Sequence, residues 1–106
     1  MNKEISLKIV YEKLIGFNSI PISIREMRGV NIKDYQELKC AIEYLIEYYN
    51  DKNDVPKKLA LAFVDISNYF FVPNLNYSEK EHEKLENYGI ELSELANKLF
   101  SDKLKE

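Results

Sequence analysis

Catalysis needs nucleophiles, proton-transfer groups or metal ligands at workable spacing, and this 106-residue chain offers few of them. Its single histidine, His82, follows Glu79-Lys80-Glu81, which gives the Glu-x-x-His spacing used by carboxylate di-iron bundles, with Glu83 and Glu86 close by. Such a site takes a second Glu-x-x-His. One histidine cannot supply it, so a one-chain di-iron site is excluded and only a dimeric one would remain. His82 therefore reads as a solvated residue in the first turn of a helix. The single Cys40 allows neither an intramolecular disulfide nor a cysteine-based zinc site, and no histidine near it in sequence could activate its thiol. It reads as a small core residue. A Gly-rich phosphate loop, a Gly-x-Ser-x-Gly elbow and paired carboxylates in a cleft-forming loop are all absent from the sequence. The expectation is a protein that is not an enzyme and uses no cofactor or metal, to be tested against a metal carrier or enzyme built on Glu79, His82 and Glu83.

The elements that must position these residues follow from pattern. With 45% hydrophobic and 31% charged residues, and only three Gly and three Pro, the chain is a folded, helix-rich domain rather than a disordered or disulfide-stapled one. Residues 1–106 form one domain in this reading, without repeats or linkers. Met1 to Lys8 lack the apolar run and cleavage site of a signal peptide, and no stretch is apolar enough to span a membrane, so the expected location is the cytoplasm. Turn-forming residues cluster at Gly16 to Pro21, Gly29 to Lys33, Asn50 to Pro56 and Val72 to Asn76. These breaks predict an all-α fold, a compact antiparallel four-helix bundle, existing as a monomer or weak dimer.

Tyr35, Leu38, Ala41, Ile42, Leu45 and Tyr49 recur at spacings of three and four and predict a helix over 34–49. Asp54 is placed to cap the next helix, with Pro56 near its first turn. Leu59, Ala62, Phe63, Ile66 and Phe70 form one stripe of that helix and Leu61, Val64 and Phe71 a second, which predicts a segment at the centre of the bundle. Ser78 to Glu81 has the pattern of a capping box, and Leu85, Tyr88, Gly89, Leu92, Leu95, Ala96 and Leu99 form the stripe of the helix that follows. Gly89 sits on that stripe, where it would allow close approach of a neighbour. The first residues are ambiguous, because Ile5-Leu7-Ile9 and Ile20-Ile22-Ile24 alternate as strands do, while Leu7, Val10, Tyr11 and Leu14 fit a helix. Helix is preferred, with an α+β fold bearing a short N-terminal hairpin as the alternative.

The net charge of −3 conceals a pattern. Residues 1–33 carry six basic and three acidic groups, whereas 34–54 and 79–94 each carry six acids against two lysines. Binding to nucleic acid is disfavoured, since it needs a clustered basic footprint. A basic protein partner matches better. Glu43, Tyr44, Glu47, Tyr48, Asp51 and Asp54 combine carboxylates with tyrosines, a residue favoured at interface hot spots, and the first five are linked by helical steps of three or four. The alternative is that the carboxylates merely solvate an ordinary surface and the tyrosines edge the core.

Leu14-Ile15-Gly16-Phe17-Asn18-Ser19-Ile20 and Ser23-Ile24-Arg25-Glu26-Met27, then Phe63-Val64-Asp65-Ile66-Ser67-Asn68-Tyr69-Phe70, Tyr77-Ser78-Glu79 and Leu85, resemble the colicin D-type self-protective immunity family of small helical bundles. That resemblance implies inhibition of a cognate toxin by occlusion, with acidic side chains standing in for the phosphates of a tRNA or other nucleic acid in the toxin's basic cleft. A Gram-positive bacteriocin immunity bundle, directed at a membrane-receptor complex, is a close variant. A reading from a different class is a non-enzymatic adaptor that self-associates through Phe70, Phe71, Val72 and Leu75.

Overall fold

Asn2 starts the first helix by accepting the Ile5 N–H on its side-chain oxygen at 2.9 Å, and α1 then runs Lys3–Ile15. The computed structural model describes residues 1–101; residues 102–106, the end of the expected domain, lie outside the described residues. After α1 come α2 (Ile20–Arg25), α3 (Ile32–Tyr48), α4 (Lys57–Phe63), α5 (Ile66–Phe70) and α6 (Glu79–Phe100), with no strand among the described residues. The fold is an all-α helical bundle, and the ambiguous N-terminal stretch is helical. Its inward positions are Ser6, Val10 and Leu14, spaced by four, which leaves the strand-like alternation of Ile5, Leu7 and Ile9 without a buried face to match.

α1 and α3 are antiparallel. Lys13 reaches Asp34 and Glu37 at 3.0 and 3.3 Å near one end, while the Lys3 ammonium lies 5.5 Å above the Tyr48 ring near the other. The bond to Asp34 leads the effects that raise the Lys13 ammonium above its ordinary value. α3 starts two residues earlier than the apolar stripe indicates, because the Asn31 side chain accepts the N–H groups of Lys33 and Asp34 and so caps the helix there. Leu38, Ala41, Ile42 and Leu45 are fully buried and form the centre of one continuous core with Leu59, Phe70, Leu85 and Leu92.

Three expectations about α3 and the segment that follows it need correction. The helix predicted from Pro56 to Phe71 is two helices, since α4 packs on α1 and α5 packs on α6, and the chain bends at Val64 and Asp65 to serve both. The bend turns the second stripe outward, leaving Leu61, Val64 and Phe71 exposed rather than central. Asp54 does not cap α4; Pro56 occupies that position without a side-chain cap bond. Cys40 is exposed and not part of the core, because the stripe of Leu38, Ala41, Ile42 and Leu45 puts position 40 on the opposite side of the helix.

Ser78 caps α6 by accepting the Glu81 N–H at 3.1 Å. In the linker before it, the Tyr77 hydroxyl donates to the Ile24 carbonyl at 2.7 Å and accepts the Gly29 N–H at 3.0 Å, which ties the approach to α6 onto the end of α2. His82 is half-buried, not solvated: Nε2 lies 3.0 Å from the Leu75 carbonyl and the ring meets Tyr77 edge-on. These bonds fix the start of α6 to its own linker and to the end of α2.

The Ser6 hydroxyl is the buried side-chain oxygen without a hydrogen-bond partner among the described residues. An unpaired buried hydroxyl is costly, and alanine is the better helix former. Ser6→Ala should therefore stabilise the fold by about 1 kcal/mol, read as a rise of several degrees in the thermal midpoint; a lower midpoint would mean the hydroxyl is bonded in solution.

Candidate interaction surface

The carboxylates divide into two groups once their partners are known. Asp34 and Glu37 are bound by Lys13 of α1, and Glu91 by Lys39 of α3 at 2.8 Å and by the Tyr35 hydroxyl. These acids tie helices together. Glu43, Glu47 and Asp54, and on α6 Glu79, Glu83, Glu86 and Glu94, are exposed and have no ion-pair partner among the described residues. Glu79 also sits in the first turn of α6, where a carboxylate stabilises the helix end.

The Lys39 bond, with the Tyr35 hydroxyl second, holds the Glu91 carboxyl below its ordinary value of 4.5. Burial, followed by the bond to Glu91, pushes the Tyr35 hydroxyl well up. As acid is added the unfolded chain takes a proton at position 91 before the folded one does, so the contribution of this site is complete above about 4.5 and fades as the pH falls through the lower folded value. Glu91→Gln should lower stability at neutral pH and flatten the fall between neutral and acid conditions in pH-dependent melting. An unchanged profile would remove Glu91 from that role.

The expected site on α3 and the turn after it is brought only partly together. Helical geometry puts Glu43 and Glu47 on the outward line that also carries Gln36 and Cys40, whereas Tyr44 and Tyr48 lie on the flank beside α1 and are half-buried. Tyr48 is covered further. Lys52 lies 4.4 Å above its ring, with Lys3 on the same ring, and Tyr49 packs edge-on against it at 4.9 Å. Asp51 pairs with Lys52 at 3.3 Å, and Asp54 is exposed in the connection to α4. Glu43 and Glu47 are thus the free charge of this face, and the tyrosines contribute their edges.

A second surface was not read as a site from the sequence. α5 and α6 enclose an open groove of about 390 Å³, lined by Ser67, Phe70, Phe71, Glu86, Gly89, Ile90, Ser93, Glu94 and Asn97. Phe70 is buried at its floor because Gly89 has no side chain: a Cβ there would stand 2.9 Å from the Phe70 Cβ. Phe71 and Ile90 form its walls, 56% and 57% exposed. The available signal was Ile90, an apolar residue off the buried stripe of α6 and flanked at four-residue spacing by Glu86 and Glu94. Of the four residues expected to drive self-association only Phe71 is exposed; Phe70 is buried, and Val72 and Leu75 are half-buried.

Glu79, His82 and Glu83 share a shallow depression, but the Leu75 carbonyl already engages His82 Nε2, and no group of three His, Cys, Asp or Glu among the described residues is close enough to hold a metal ion. No helix among them is long and apolar enough to cross a membrane. No family model, curated protein or solved structure matches the chain.

Proposed function

We propose that this chain is an immunity or inhibitor protein that acts in the cytoplasm by binding a cognate bacterial toxin, a nuclease, and covering its basic active site. The observation that carries this reading is the division of the acids: those at helix contacts are neutralised by lysines, while Glu43, Glu47, Glu83, Glu86 and Glu94 stay exposed without a cation among the described residues. Residues four apart on a helix stand about 6 Å apart along its axis, so carboxylates at that spacing present a row of negative charge, as a phosphate strand does. Glu43 and Glu47 on α3 have that spacing. So do Glu79 and Glu83 on α6.

A row of this kind steers a cationic cleft toward the chain and then blocks it, without any reaction by the chain itself. The resemblance to immunity proteins points the same way. Co-expression with a toxin encoded beside this chain's gene should restore growth of a sensitive host. Killing that persists while the chain accumulates in soluble form would contradict the proposal.

A further inference from the structure

Resting on that reading, we infer that the groove between α5 and α6 receives an amphipathic helix of the toxin, one large apolar side chain of which inserts between Phe71 and Ile90 while lysines or arginines beside it meet Glu86 and Glu94. The trough is longer than one pocket. Its residues Ser67, Ser93 and Asn97 also line the adjoining depression of about 380 Å³ beside Val64, so the open surface follows α6 from Glu86 to Phe100. That is about 21 Å of helix, enough to seat roughly four turns of a partner helix in the helix-in-groove mode.

Three features select the occupant. The walls are apolar side chains exposed by more than half, while the floor is sealed by Phe70 against the bare backbone of Gly89. An apolar side chain entering here loses water without displacing any polar group from the floor. The rim is anionic, since Glu86 and Glu94 flank Ile90 at four-residue spacing and have no cation within ion-pair distance among the described residues. This sign rejects an anionic lipid surface and attracts cationic side chains one turn either side of the apolar anchor. A second copy of this chain is disfavoured for the same reason, because a two-fold contact through the groove would set each Glu86 and Glu94 against those of its twin.

The probe is a synthetic amphipathic peptide of leucine and lysine, about 14 residues long so that it can be helical, titrated into the isotopically labelled full chain and followed by amide chemical shifts. Saturable shifts are expected at Phe71, Gly89, Ile90 and Asn97, weakening with added salt and absent with a leucine–glutamate version. Ile90→Asp should raise the Kd at least tenfold with the thermal midpoint unchanged, because Ile90 is a surface residue. Shifts centred on Glu43 and Glu47, no saturable binding, or an unchanged Kd for Ile90→Asp would each overturn the groove assignment. Concentration-dependent shifts at Phe71 and Ile90 without peptide would overturn it in favour of a second copy. None of these results restores or abolishes rescue from the toxin, so loss of rescue by the wild-type chain is the separate failure of the inhibitor reading.

Discussion

Gly89→Leu should destabilise the fold by about 3 kcal/mol and remove the α5–α6 groove with it. The α6 backbone at Gly89 faces the Cβ of Phe70, and an added Cβ would stand 2.9 Å from that atom and 3.4 Å from Cγ. The nearest atom is the root of a side chain, not its flexible tip, so α5 itself must move. Any larger side chain would displace Phe70 from the core and take Phe71, the groove wall, along. Gly89→Ala gains about 1 kcal/mol in helix propensity, which offsets part of its smaller clash, so its net effect should be well below that of leucine. Chemical denaturation of the two variants measures the difference. Equal stability of Gly89→Leu and the parent chain would mean that α5 does not rest on α6 as described.

The second large effect is on binding. Reversing both Glu43 and Glu47 to lysine should weaken capture of the toxin by two orders of magnitude or more, about 3 kcal/mol. Reversing Glu86 and Glu94 tests the groove rim in the same way. Juxtaposed like charges cost several kcal/mol when desolvated. None of these four residues is bound to a lysine among the described residues, so stability should shift by within about 0.5 kcal/mol. Reversing Asp34 and Glu37 should instead lower stability, because it breaks the Lys13 contact that joins α1 to α3. Titration calorimetry beside thermal melting separates the two classes. A reversed pair that binds as the parent does is outside the interface.

The bundle was legible because its strongest signals are periodic. The stripes of α3 and α6 name the buried faces of those helices directly, and Gly89 on the second stripe correctly marks a close approach. What periodicity could not reveal is where one apolar run must serve two neighbours. Residues 56–71 carry two stripes, which suits a central helix; the run instead bends at Val64 and Asp65, and the second stripe becomes surface. Residue type misled at Cys40, where composition favours burial and helix position forbids it. His82 was misread because its partner is a linker carbonyl seven residues earlier, which no helical spacing encodes.

The charge pattern was legible as a total for each segment and not as a surface. Both acidic segments prove to be mixtures, in which Asp34, Glu37 and Glu91 hold the fold while Glu43, Glu47, Glu83, Glu86 and Glu94 remain free among the described residues. Only tertiary contacts could sort them. The same contacts separate Tyr44 and Tyr48 from the glutamates beside them in sequence, and bring Phe71 to Ile90 across nineteen residues of chain.

Capture of a basic toxin through the exposed carboxylates is to be measured by calorimetric titration with the purified toxin domain at low and high salt. A one-to-one complex is expected, with an affinity that falls steeply as salt screens the carboxylates. No measurable complex at low salt, or one whose affinity does not respond to salt, would contradict it.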